Sequence, residues 1–141
     1  MANITLLADT NALTEFARSI LRELRPHLTD DLLVEQIQRQ MSNGYRVAVL
    51  EHNGEPKAVA GFRFGEFLAW GRIMYVDDLV VKETERGNGY GGQLLEWLMA
   101  HARENGCAQF HLDSGTHRLD AHRFYKAHGM ELSSYHFGMK L

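Results

Sequence analysis

Leu79-Val80-Val81, Lys82-Glu83-Thr84-Glu85, then Arg86-Gly87-Asn88-Gly89-Tyr90-Gly91-Gly92: residues 79–92 set an apolar run, a polar link and a glycine cluster in immediate succession. The apolar run closes a strand reading that starts at Ile73, and the glycines open a helix that carries Leu94, Leu95, Leu98 and Ala102 on one face and stops at Asn105-Gly106. Ala108 to Asp113 reads as another strand, so the segment is a β-α-β crossover. Glycines let successive backbone N–H groups converge on one point, and a helix N-terminus adds partial positive charge. The expected guest is a phosphate or pyrophosphate. Arg86 at the mouth adds a charge-assisted contact or is simply solvated, and Gly91 and Gly92 serve either the guest or close helix packing.

Outward from this crossover, residues 3–8 read as an opening strand, with Asp9 and Thr10 as candidate caps for a helix bearing Leu13, Phe16, Ala17, Ile20, Leu21 and Leu24 and closed by Pro26. Thr29 caps a second helix, acidic in its first turn (Asp30, Asp31), that runs to Gly44. Tyr45–Leu50 and Ala58–Phe64 flank Asn53-Gly54, a hairpin signal, and Gly61 and Gly65 punctuate its second half. After residue 113 a helix presents Ala121, Phe124, Tyr125 and His128, ends at Gly129, and is followed by strand-like residues 130–139. The expected order is β-α-α-β-β-β-α-β-α-β, an α/β (α+β) fold with a mixed, mainly antiparallel central sheet flanked by helices, in one domain over 1–141.

Composition narrows the function. The 141 residues are 45% apolar and 23% charged, enough to bury a core and too ordered in pattern for a disordered tail. A net charge of −3 with no basic face argues against nucleic acid and membrane as partners. Cys107 is the sole cysteine, which excludes an internal disulfide and multi-cysteine metal modules. With no signal-like N-terminus and no apolar run of membrane-spanning length, a reducing, cytoplasmic setting is expected. Five histidines (111, 117, 122, 128, 136) fall in the last third, but none pairs with another and an acid at metal-ligand spacing, so no metal is expected.

Three phosphate-binding patterns compete for the glycine cluster. A P-loop fails because Gln93 and Leu94 stand where Lys and Ser or Thr are required. A dinucleotide fingerprint fits Gly87, Gly89 and Gly92, with Asp113 about 20 residues on, yet the chain around it has no room for further β-α-β units. The third is a resemblance: Asp78-Leu79-Val80-Val81, the R-x-x-G-x-G of Arg86 to Gly91, and the later His122-Arg123-Phe124-Tyr125-Lys126-Ala127-His128-Gly129-Met130 together resemble the GCN5-related N-acetyltransferases. The resemblance covers the element order from 3 to 139, with its specific motifs in roughly 78–130. It implies acetyl-CoA as acyl donor. The backbones of Leu79, Val80 and Val81 would then face the pantetheine, between splayed parallel strands 73–81 and 108–113. Arg86, Gly87, Asn88, Gly89, Tyr90, Gly91 and Gly92 would cradle the pyrophosphate. It further implies a primary amine as acceptor, small molecule or peptide, and allows a homodimer.

Acyl transfer from a thioester to an amine needs a deprotonated amine, alignment, a donor to the developing oxyanion and an acid for the leaving thiolate. Tyr125 matches the family's acid; its plain alternative is an amphipathic core tyrosine. A backbone N–H near Leu79 or Val80 suits the carbonyl oxygen. Asp77 and Asp78 are candidate bases, and strand alternation lets only one of them point to a given face. Asp113, Ser114 and His117 lie beyond the second cofactor strand, Ser114 as a cofactor contact, and Arg118 stands where the family often has asparagine. Cys107 reads as a structural thiol. Acceptor specificity is expected from the loop near Arg25–Asp31, the hairpin and the C-terminal strands; Phe62, Phe64, Phe67 and Trp70 read either as an apolar acceptor pocket or, as such a stripe more often does, as core or dimer interface, and Asp30, Asp31, Glu66 and Asp77 as drawing a cationic amine. The rival class is a non-catalytic acyl-CoA sensor or partner-binding module on the same fold.

Overall fold

A computed structural model describes residues 2–141 and resolves them into two compact units, the residues up to His111 and Leu112–Leu141. A five-stranded sheet has the order β1-β2-β3-β4-β5, with β1 (Ala2–Leu6), β2 (Arg46–His52), β3 (Glu55–Phe67), β4 (Gly71–Val81) and β5 (Gln109–Leu112). The first four strands pair antiparallel. The β2–β3 turn carries Asn53 at φ 54° and Gly54 at φ 78°, the left-handed pair a two-residue hairpin demands.

Helices α1 (Glu15–Leu24) and α2 (Asp30–Met41) cover one face. Ala17, Ile20, Leu21, Leu33 and Ile37 pack there on Tyr45, Val47, Val49, Val59 and Val80. Strand alternation sends Ala48 and Leu50, also buried, to the opposite face, where α3 (Tyr90–Glu104) buries Leu94, Leu95, Leu98 and Ala102 and sets His101 against the Phe62 ring. α3 links β4 to β5, and Ala108 N–H donates to Arg72 O at the start of β4, so the four residues of β5 accompany only the first half of that strand. In the second unit, α4 (Leu119–Ala127) ends at Gly129, φ 88°.

Two expectations change. Asp9 does not start α1: its carboxylate caps a single 3-10 turn, accepting from Asn11 and Ala12 N–H, and Thr14 caps α1 by accepting from Ala17 N–H. The strand expected over 130–139 is not formed; residues 130–141 adopt no regular element, and Leu132, Tyr135, Phe137, Met139 and Leu141 are exposed. Alternating apolar residues supply β-propensity, but a strand exists only when a neighbour completes its ladder.

The ladder between β3 and β4 slips by one residue. Gly61 pairs with Asp78 and Phe62 with Val76, which leaves Asp77 as an extra residue, a β-bulge. Gly61, expected as punctuation, sits mid-strand because the Tyr45 side chain crosses it: a Cβ at 61 would lie 1.6 Å from Tyr45 Oη and 2.2 Å from its Cζ. Neither the ring, buried in the core, nor the strand can yield that space. Gly61→Ala is therefore expected to lower unfolding stability by about 2–3 kcal/mol in urea titration, while the same change in a Tyr45→Leu background should cost under about 1 kcal/mol.

Candidate active site

The bulge brings both aspartates to one cavity. A space of about 380 Å³ is lined by Leu21 and Arg25 at the end of α1, by His27 and Leu28 in the α1–α2 loop, by Gln36 and Gln40 of α2, and by Tyr75, Asp77 and Asp78 of β4. That volume lies in the range of small-molecule sites. Strict alternation would separate Tyr75 from Asp78; the extra residue between them resets the phase, which corrects the expectation that only one aspartate can face a given side. The α1–α2 loop is held in place by Arg22, whose Nε donates to Leu28 O (2.9 Å) and whose Nη1 reaches Asp30 (3.2 Å). Of the aromatic stripe, Phe62 is buried, which agrees with its reading as core, Phe64 packs with it and His101, and Phe67 and Trp70 pack on each other; none of the four lines this cavity. Asp30, Asp31 and Glu66 do not line it either.

Both carboxylates have firm partners. Arg63 grips Asp77 in a bidentate pair at 2.6–3.1 Å. Asp78 accepts from Tyr45 Oη at 2.7 Å through one oxygen and from Arg25 at 2.9–3.0 Å through the other. Burial pushes the Tyr45 hydroxyl far above the usual tyrosine range, with the charge of Asp78 and its hydrogen bond adding to the rise. Tyr45 is thus a fixed proton donor that orients Asp78. Sequence reading missed it, although an isolated glycine inside the apolar run 58–62 is a mark of close approach.

The second feature is the loop before α3. Glu83–Glu85 forms a 3-10 turn pinned from three sides: Lys57 Nζ donates to Glu85 (2.9 Å), Glu83 N–H donates to the Glu23 carboxylate (3.1 Å), and Asn88 Nδ2 donates to Glu85 O (3.0 Å). Lys57 is itself buried and its ammonium is held charged, above the ordinary lysine range, chiefly by the Glu85 hydrogen bond. Gly87 (φ 90°) and Gly89 (φ 80°) adopt left-handed conformations, and a Cβ at either would enter open space. Gly89 caps α3 with no side-chain acceptor, so the first N–H groups of a 15-residue helix, at Tyr90, Gly91 and Gly92, carry no side-chain cap, and exposed Arg86 stands beside them. This arrangement fits a pyrophosphate. Leu79, Val80 and Val81 pair with Ala60, Val59 and Ala58 on one edge, and β5 is too short to pair with them on the other.

In the second unit, Tyr125 is half-buried on α4 with its ring edge-on to Phe124 at 5.4 Å, and burial raises its hydroxyl above the ordinary range against the opposing pull of Arg118. Ser114 Oγ is buried with no hydrogen-bond partner among the described residues. His117 does not cap α4, whose N-cap is Arg118. His122 and His128 bond the carbonyls of Gly115 and Phe124, at 2.7 and 2.9 Å. In the first unit His111 contacts Gln109 Oε1 and stacks on Trp70, and burial pushes the Cys107 thiol up, away from nucleophilic use.

An uncapped, glycine-led helix behind a strand is an arrangement suited to a phosphate-bearing ligand. Residues 10–130 match the model of the acetyltransferase (GNAT) family, and the chain belongs to that family. It is 32% identical over 127 residues, 87% of this chain and 89% of the other, to an uncharacterized N-acetyltransferase, YhdJ, of Bacillus subtilis (strain 168). It is 39% identical over 62 residues, 44% of this chain and 40% of the other, to the aminoalkylphosphonate N-acetyltransferase of Salmonella typhimurium. Its fold is similar, at TM-score 0.86 and 14% identity over 100% of this chain and 95% of the other, to an aminoglycoside N-acetyltransferase crystallised with CoA. The protein is an acyltransferase of this family. No helix among the described residues is long and apolar enough to cross a membrane.

Linkage gives the site a pH signature. The folded Tyr45 hydroxyl keeps its proton where an unfolded tyrosine, near pKa 10, loses it, so its contribution to stability is complete below about pH 10 and falls as pH rises further. The urea midpoint of the wild type should therefore drop more steeply between about pH 9.5 and 11 than that of Tyr45→Phe.

Proposed function

We propose that the protein is a single-domain, cytoplasmic N-acetyltransferase that moves an acetyl group from acetyl-CoA to a primary amine by direct attack in a ternary complex. The observation that carries this reading is the uncapped N-terminus of α3 behind two left-handed glycines, a preformed anion cradle at the end of β4. The backbone amides of Gly87 to Gly92, with the Arg86 and Asn88 side chains and Tyr90 at the rim, hold the pyrophosphate. The free edge of Leu79–Val81 takes the pantetheine by main-chain hydrogen bonds, and one of its N–H groups faces the developing oxyanion. Ser114 Oγ supplies a further polar contact to the donor.

Acetyl-CoA brings an activated acyl group as a thioester. The cavity beside Asp77 and Asp78 receives the amine, whose attack requires loss of a proton from the ammonium form. Asp78 accepts that proton, directly or through one water: Arg25 engages only its Oδ1 and Tyr45 only its Oδ2, whereas both oxygens of Asp77 are closed by one bidentate guanidinium. Tyr125 retains its hydroxyl proton at neutral pH and donates it to the departing sulfur. Both curated relatives described above are named as N-acetyltransferases, one of them for aminoalkylphosphonates, which supports an amine acceptor here.

Saturating acetyl-CoA is expected to raise Tm by several degrees, since a ligand that binds only the folded state stabilises it by about 2.7 kcal/mol at 100 times Kd. An unchanged Tm overturns the reading. Gly89→Ala, forced to φ 80°, should weaken acetyl-CoA at least tenfold in calorimetric titration. Tyr125→Phe should cut the rate of thiol release by about 10²–10³-fold with little change in acetyl-CoA affinity; a normal rate removes it from the mechanism. Acetyl-CoA binding without thiol release across a broad amine panel would favour the sensor.

A further inference from the structure

Among the described residues, Arg25 is the one arginine or lysine lining the cavity, and it is used on one edge only. Its Nε and Nη2 engage Asp78 at 3.0 and 2.9 Å, and Nη2 also reaches Asp77 O at 3.3 Å; Nη1 donates to no described residue. The Arg25 side chain is 44% exposed and that of Asp78 14%, so the arginine is the more accessible partner of the pair. A guanidinium carries five donors in a rigid fork, and one whose first edge is fixed on a carboxylate offers the second in a set orientation.

The rest of the lining does not invite a second cation. Of the acidic residues expected to draw a cationic amine, only Asp77 lines the cavity, and it is already paired with Arg63; Asp78 is paired with Arg25. The same cavity is lined by His27 and the amides of Gln36 and Gln40, groups that carry N–H donors, and Gln36 Nε2 donates to Gln40 Oε1 (2.9 Å), which ties the two amides together.

We infer that the acceptor is a short amino acid-like molecule, an amine carrying a carboxylate, phosphonate or phosphate that docks on the Nη1 edge of Arg25. This rests on the acetyltransferase reading above and names the substrate class of that site. Because Arg25 and Asp78 touch, the groups they hold are neighbours in the acceptor, one to three carbons apart. The anion fixes the acceptor on Arg25 and presents the amine to Asp78, which takes the ammonium proton; the nitrogen lone pair then attacks the thioester carbonyl, the carbon–sulfur bond breaks, and the second proton lost from nitrogen balances the one that Tyr125 gives to the departing sulfur. Arg25 is a specificity-determining residue in this scheme.

The test compares thiol release from acetyl-CoA with matched amines that differ only in the anion: glycine against glycinamide, β-alanine against β-alaninamide, and 2-aminoethylphosphonate against its diethyl ester. The wild type should favour at least one anionic member over its neutral match by tenfold or more in kcat/KM. Arg25→Ala should collapse that ratio toward one, chiefly through KM, and Arg25→Lys should keep part of it. Reading the ratio separates recognition from structure, because a role confined to holding Asp78 lowers both members equally. Equal or better use of the neutral amines, a ratio that survives Arg25→Ala, or no turnover of any anionic amine overturns the inference. A Tm rise with acetyl-CoA in the same samples shows that the failure is the substrate class alone, and its absence that the enzyme reading has failed too.

Discussion

A single hydrogen bond, from Tyr45 Oη to Asp78 Oδ2 at 2.7 Å, ties the core to the cavity. It exists because Gly61 leaves room for the ring and because the extra residue Asp77 turns Asp78 toward the same side. A buried hydroxyl and a largely buried carboxylate each carry a large desolvation cost when unpaired, so each requires the other. The α1 and α2 helices pack around the same tyrosine through Ala17, Ile20, Leu21, Leu33 and Ile37, and the end of α1 supplies Arg25 to the remaining carboxylate oxygen. Core packing and site geometry are thus one arrangement.

The two anion-directed features are built by different physics. The cavity uses charged side chains already paired, so its field is local and directional rather than strongly negative. The loop before α3 uses backbone dipoles, and its charged side chains brace it instead: Lys57 and Glu85 satisfy each other beneath it. Preorganisation of this kind lowers the ordering cost of binding, which is why a chain of net charge −3 can hold an anionic ligand without a basic patch.

Much of this was legible where local chemistry decides. Thr29 as a helix cap, Asn53-Gly54 as a hairpin, and the left-handed glycines before α3 follow from side-chain acceptors and backbone freedom that neighbours do not override. Partner-dependent features were not legible. The apolar pattern of 130–139 reads as a strand but finds no ladder, and Asp9 and Thr14 compete as caps with the same chemistry. The pairing of Tyr45 with Asp78 spans 33 residues and depends on a bulge that no side-chain period announces. Arg25 stood in the loop expected to shape acceptor binding, but its one-edge use emerges only from the folded contact with Asp78.

The bulge has a further effect on what kinds of sequence change the site can survive. Residues 71–76 and 78–81 are one continuous strand in space, yet their assignment to the sheet's two faces is offset by the single residue Asp77. Deleting Asp77 would remove the bulge and still leave Tyr75 and Asp78 on one face, two ladder positions apart, whereas drawing Asp77 into the ladder as an ordinary paired residue would exchange the faces of Tyr75 and Val76. The cavity wall is therefore set by the exclusion of one residue from the ladder, and the change it does not survive is the return of that residue to the pairing.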